Sequence, residues 1–105
     1  MLLPIKAVVL KKPRKDGNHL IYFQYCHTPT KRVLLSTEIA VPTAYWNKKR
    51  QYVTASLPEQ YGSAEMFNAE LRRMRKAIEG LIEYCRKNDV EDICFFLKKI
   101  FTPRF

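Results

Sequence analysis

The chain predicts an α+β fold: a three-stranded antiparallel sheet packed on a long C-terminal helix, followed by a short second helix. Three observations carry that expectation. Residues 19–27 and 31–37 divide at a period of two into an inner apolar face and an outer face. Residues 67–85 repeat apolar side chains at spacings of three and four. Polar turns separate these stretches, and no internal repeat or low-complexity tract interrupts them. A chain of 105 residues makes a single domain, burying roughly two thirds of its unfolded surface.

Residues 5–10, rich in Val and Ile, read as the first strand, and the basic stretch 11–18 follows as a loop with an Asp16-Gly17 turn. Residues 19–27 are dense in aromatic and β-branched types and form the clearest strand. Thr28-Pro29-Thr30 turns the chain into a third strand over 31–37, completing a meander. Strand alternation assigns Ile21, Phe23, Tyr25, Val33, Leu35 and Thr37 to the core. It leaves Leu20, Tyr22, Gln24, Cys26, Arg32, Leu34 and Ser36 outside. An outward Leu34 either meets a thymine methyl or marks a register shifted by one.

Val41-Pro42 ends the third-strand region, and Tyr45-Trp46-Asn47 leads into the basic turn Lys48-Lys49-Arg50 before a short extended piece at Tyr52 and Val53. The single tryptophan, Trp46, is placed to seal the core between sheet and helix rather than to stack on a base.

Ser63 is a candidate N-cap for the long helix, with Glu65 and Met66 in its first turn. Phe67, Leu71, Met74, Ile78, Leu81 and Cys85 form one apolar stripe, and Arg75–Glu79 and Glu83–Lys87 are spaced for ion pairs. Asn88-Asp89 breaks the helix. Asp89 or Glu91 then starts a short second helix carrying Ile93, Phe96, Leu97 and Ile100. The expected organisation is sheet and basic turn over 1–62, bracing helix over 63–88, and short helix with the start of a linker to a missing downstream domain over 89–105. A chain leaving through Thr102-Pro103-Arg104-Phe105 looks like a piece of something longer.

Charge is distributed unevenly. Up to Thr54 there are ten basic residues against two acidic ones, so this half holds +8 of the total +9. A positive sheet half braced by a nearly neutral helical half suits a polyanion, and duplex DNA is the expected one. Hydrophobic residues at 47% and charged residues at 28% exclude disorder as the default. The odd, widely spaced Cys26, Cys85 and Cys94 lie in apolar patterns, as small hydrophobes of a reducing compartment do, so no disulfide is expected. Lys6 interrupts the faintly export-like start, and no later apolar run spans a bilayer. A soluble cytoplasmic protein is expected.

Several of these segments together resemble a known family. They are the strand Ile5-Lys6-Ala7-Val8-Val9-Leu10, the basic loop ending in Asp16-Gly17, the Ile21-Tyr22-Phe23 strand, and above all Ser36-Thr37-x-Ile39-x-Val41-Pro42-x-x-Tyr45-Trp46-Asn47. The resemblance is to the N-terminal arm-type DNA-binding domain of tyrosine recombinases, most of all the phage-type integrases of conjugative transposons from Bacteroides-type bacteria. It runs from about residue 5 to about residue 100 and implies a small sheet that enters the major groove of arm-type repeats near the ends of a mobile element. The chain departs from the family's pattern twice. Glu38 stands where glycine is usual, and Gln24 where a basic residue is common.

No catalytic residues are expected. A tyrosine recombinase needs a nucleophilic tyrosine with Arg, His and Lys around the phosphoryl group, and His19, His27, Tyr22 and Tyr45 lack that company. There is no Cys-x-x-Cys, no paired His at helical spacing and no Gly-rich phosphate loop. Cys26 and His27 point to opposite strand faces. Metal, cofactor and small-molecule substrate are therefore not expected, nor is a membrane partner.

Binding is expected in two classes of contact. Lys11, Lys12, Arg14, Lys15, Lys48, Lys49 and Arg50, in loops flanking the sheet, would grip phosphates. Lys6, Tyr22, Gln24 and Arg32 would project from the outer face, where Arg32 can fork onto guanine and Gln24 onto adenine. Recombinase protomers in a synaptic complex are further candidate partners, as an implication of the resemblance. Two rivals differ in class. One is a protein-interaction module docking through the long amphipathic helix or a sheet edge. The other is an RNA-binding sheet, which needs more exposed aromatics than Tyr22.

Overall fold

Alternation in the first half folds as expected, into strands β1 (Ile5–Val9), β2 (His19–Thr28) and β3 (Lys31–Val41), antiparallel in the order β1-β2-β3. The structure is a computed structural model and describes residues 5–102. The four residues before Ile5, which open the export-like start, and the three after Thr102, which end the expected exit, lie outside the described residues.

Each strand buries one face. Ile5 and Ala7 on β1, Ile21, Phe23 and Tyr25 on β2, and Val33, Leu35 and Thr37 on β3 are all buried. The register pairs Gln24 with Leu34 and Tyr25 with Val33, so the alternation is in phase and Leu34 faces outward at 41% exposure. The alternative of a one-residue slip is thereby excluded.

β3 runs four residues past the expected end at Thr37. Tyr22 pairs with Ser36 but Leu20 pairs with Ala40, so three residues of β3 stand opposite Ile21 alone. This bulge is built by Thr37, whose hydroxyl donates to Ile21 O at 2.8 Å and accepts from Ile39 N at 3.1 Å, replacing ladder bonds that the extra residues disrupt. At its crest Glu38 adopts φ 61°, the left-handed region. The strand then resumes, and Val41 is completely buried.

After a 3₁₀ turn at Thr43–Tyr45, β4 (Trp46–Asn47) pairs with β5 (Tyr52–Val53) as a separate two-stranded ribbon that the sequence pattern did not reveal. Its turn is closed locally. Asn47 accepts from Gln51 N through its carbonyl at 2.7 Å and from Arg50 N through Oδ1 at 2.9 Å. Trp46 is buried in the core, the sealing position expected of it.

Helix α1 (Ala64–Lys87) starts at Ser63, whose side chain accepts from Met66 N at 3.2 Å. Leu71, Met74, Ile78, Ile82 and Cys85 are buried among the inward residues of the sheet. The stripe is rotated slightly from the expected one: Ile82 replaces Leu81 as the fully buried member, and Phe67 and Leu81 are half-buried. Truncating Ile78 or Ile82 to alanine costs about 2–5 kcal/mol. The apolar stripe that a helix-docking partner would need is therefore occupied by the domain's own core. Asn68 fastens α1 to β5, accepting from Val53 N at 2.8 Å and donating to Val53 O at 2.9 Å.

Asp89 breaks the chain after the Asn88 cap with φ 50°. Helix α2 (Ile93–Ile100) follows, and its N-cap is Asp92 rather than Asp89 or Glu91. Ile93, Cys94 and Leu97 are buried, whereas Ile100, expected on the inner side, is 48% exposed. All three cysteines are free, Cys85 and Cys94 buried and Cys26 half-buried on the outer side of β2. No helix among the described residues is long and apolar enough to cross a membrane.

Candidate nucleic-acid interface

Because α1 covers the inner face, the outer face of the sheet is left to solvent, and the register orders its side chains in rows. Lys6, Gln24 and Leu34 form one row across β1, β2 and β3; Val8, Tyr22 and Ser36 form the next. Cys26 and Arg32 form a third, two-strand row. The four residues expected to project here, Lys6, Tyr22, Gln24 and Arg32, do share this side.

Cationic residues gather along the β1 edge. Lys6 from the strand, Lys11 from the β1–β2 loop and Lys48 from the β4–β5 turn line one cleft of about 470 Å³, together with Trp46 and Gln51. Three elements distant in sequence thus bring three ammonium groups to one margin of the sheet. Lys12, Lys15 and Lys49 are exposed on the same two loops.

Two arginines behave differently. Arg14 is held by Asp16 at 2.6 Å, and Asp16 also accepts from Asn18 N at 2.9 Å. The Arg14 guanidinium, with the Asn18 amide, holds the Asp16 carboxyl below the usual carboxylate range. Much of the Arg14 charge is thus matched inside its own loop. Arg50 lines a separate cleft with Arg72 and Arg75, toward α1 rather than toward Lys48.

The opposite margin belongs to β3 and α2. Lys31, Arg32, Leu34 and Lys98 line a cleft of about 420 Å³ between these elements. Lys98 also lines a neighbouring cleft with Tyr22, Leu34, Ser36 and Glu38, which places it beside the outer face. Neither Lys31 nor Lys98 was singled out from the sequence. Lys98 could not have been, since nothing local to α2 says that the helix lies against β3. Lys31 is partly matched by Asp92 at 3.3 Å.

The gap between these margins is three strands wide. With neighbouring strands roughly 4.8 Å apart, the edge strands are about 10 Å apart, close to the roughly 12 Å width of a B-DNA major groove. Among the described residues no group of three or more His, Cys, Asp or Glu is arranged to hold a metal ion.

The Ser36–Asn47 motif has a different role from the outer face. Thr37 and Glu38 shape the bulge, Val41 and Trp46 are core, and Ser36, opposite Tyr22, and Ala40, opposite Leu20, stand on the outer side. The part of the sequence that most specifically resembles a family is mainly scaffold.

No curated protein and no solved structure gives a significant match. A family model described as an arm DNA-binding domain matches residues 8–93, which takes in the outer-face residues of β2 and β3, both basic loops and all of α1. The chain belongs to the arm DNA-binding domain family, and what such a domain does is bind DNA.

Proposed function

We propose that this domain recognises specific sequences in duplex DNA by laying the outer face of its sheet in the major groove. In this reading it is the N-terminal, arm-site-binding part of a site-specific tyrosine recombinase of a mobile element. The reaction would be carried out by a downstream domain, and recombinase protomers would meet this one in a synaptic complex. The carrying observation is the match between one solvent-facing side bearing Lys6, Tyr22, Gln24 and Arg32 and cationic clefts on both of its margins.

The division of labour follows from position. Lys6, Lys11 and Lys48 contact phosphates of the DNA strand along β1, and Lys98, with Lys31, contacts those along β3. Lys12, Lys15 and Lys49 extend the first set from the loop tips. Arg32 and Gln24 present donors and acceptors to base edges. Arg14 and Arg50 are weaker contributors, the first neutralised by Asp16 and the second turned toward α1.

A duplex titration at several salt concentrations tests the reading. Neutralising about five phosphates gives a slope of about −4 to −5 in log affinity against log salt. Arg32→Ala weakens preferred sites by about 1–3 kcal/mol more than random duplex, whereas Lys15→Ala weakens both alike. A flat salt response, or equal losses for Arg32→Ala at both kinds of site, refutes it. Sequencing the reading frame beyond Phe105 for the recombinase Arg, His and Tyr set tests the parent enzyme.

A further inference from the structure

On the outer face, Gln24 and Leu34 are direct cross-strand partners. Side chains so paired have Cβ atoms roughly 4.5–5.5 Å apart and present their ends side by side. Gln24 is half-buried, and its Nε2 donates only to the Cys26 sulfur at 3.1 Å, a weak acceptor. Its Oε1 has no protein partner among the described residues. Leu34, at 41% exposure, lines both clefts beside β3 together with Lys98, and one of them with Arg32. The middle of a cationic-rimmed face thus offers one donor, one acceptor and two methyl groups together.

We propose that Gln24 and Leu34 act as a unit that reads a single A·T pair in one orientation. This rests on the groove-binding reading above and assigns the base pair that the face prefers. In the major groove adenine presents an acceptor at N7 and a donor at N6, which a glutamine amide matches with its own donor and acceptor. The paired thymine presents its C5-methyl, which leucine contacts while shedding water from both surfaces. A G·C pair presents only acceptors on its purine edge and carries no methyl, so the glutamine keeps a donor contact but loses the bidentate match, and leucine loses its apolar partner. The Lys98 ammonium in the cleft beside Leu34 would hold the adjoining phosphate backbone, keeping the leucine pressed to the base edge.

The test starts from duplexes selected out of a random pool by the wild-type domain. Each thymine of the selected site is then replaced by deoxyuridine, which removes only the methyl group. One position is expected to lose about fourfold in affinity, the value of one buried methyl. Leu34→Ala abolishes the response at that position and Leu34→Met keeps it. Gln24→Ala lowers discrimination against G·C at the same pair by about fivefold or more. Both side chains face solvent, so circular dichroism should show an unchanged fold. A selected site lacking a common A·T pair overturns the proposal, as does a methyl effect that persists in Leu34→Ala. Failure of the wild-type domain to prefer any duplex sequence instead overturns the reading on which it rests.

Discussion

Lys31 at the β2–β3 hairpin and Asp92 at the start of α2 are joined by an ion pair of 3.3 Å, and the same carboxylate caps α2 by accepting from Phe95 N at 3.0 Å. One side chain therefore both begins the helix and fixes it to the margin of the sheet. The Phe95 amide and the Lys31 ammonium hold the Asp92 carboxyl below its ordinary range.

Because that folded-state value is depressed, the stability contributed by Asp92 is present above the unfolded carboxylate pKa of roughly 3.9 and is lost as pH falls through the lower folded value. Asp92→Asn should flatten the decline of thermal stability below about pH 4, as Asp16→Asn should for the Arg14 pair. Melting curves between acid and neutral pH read this directly. An acid limb identical to wild type would separate Asp92 from the effect.

Glu38 holds a left-handed backbone that costs an L-residue about 1–2 kcal/mol, against about 0.5–1 kcal/mol of extra chain entropy for glycine. Glu38→Gly should stabilise the domain by about 0.5–1 kcal/mol. It also removes a negative charge from the cleft shared with Tyr22 and Lys98, so DNA affinity should rise. Urea unfolding and a duplex titration check the two effects separately.

Gln51 Oε1 accepts from Ala7 N at 2.7 Å, binding the basic β4–β5 turn to the β1 edge. Gln51→Ala leaves that part-buried donor unmet and should cost about 1–3 kcal/mol. A urea midpoint equal to that of wild type would show that water replaces the amide without loss.

Lys98 and Lys99 are neighbours on α2 with equal formal charge, but Lys98 lines both clefts beside β3 while Lys99 lies over the Phe95 ring, 6.0 Å from its centroid. Lys98→Gln should reduce the salt slope of DNA binding by about one, and Lys99→Gln should leave it nearly unchanged. Equal effects would mean that net charge, not location, sets the response.

Much of the fold is legible because short-range rules dominate it. Period-two alternation placed Phe23, Tyr25, Val33 and Leu35 inside, and Ser63 announced the first helix. The bulge was hidden because Glu38 gives no sign of a left-handed turn where glycine would have given one. The β4–β5 ribbon was hidden because each strand has two residues, too few for a period. In the candidate site, alternation put Lys6, Tyr22, Gln24 and Arg32 on one side, and the loops carrying Lys11 and Lys48 were recognisable by composition. Their convergence on one cleft, the turning of Arg50 toward α1 and the arrival of Lys98 at β3 all depend on long-range packing, which charge counting does not see.

An open strand edge invites another chain to zip onto it. In β1, Ile5 O accepts from Arg75 at 3.1 Å and Ala7 N is engaged by Gln51, so two of the outward backbone groups are already occupied. Copies that brush edge to edge therefore find a poor template for a continuous ribbon, which works against aggregation through β1.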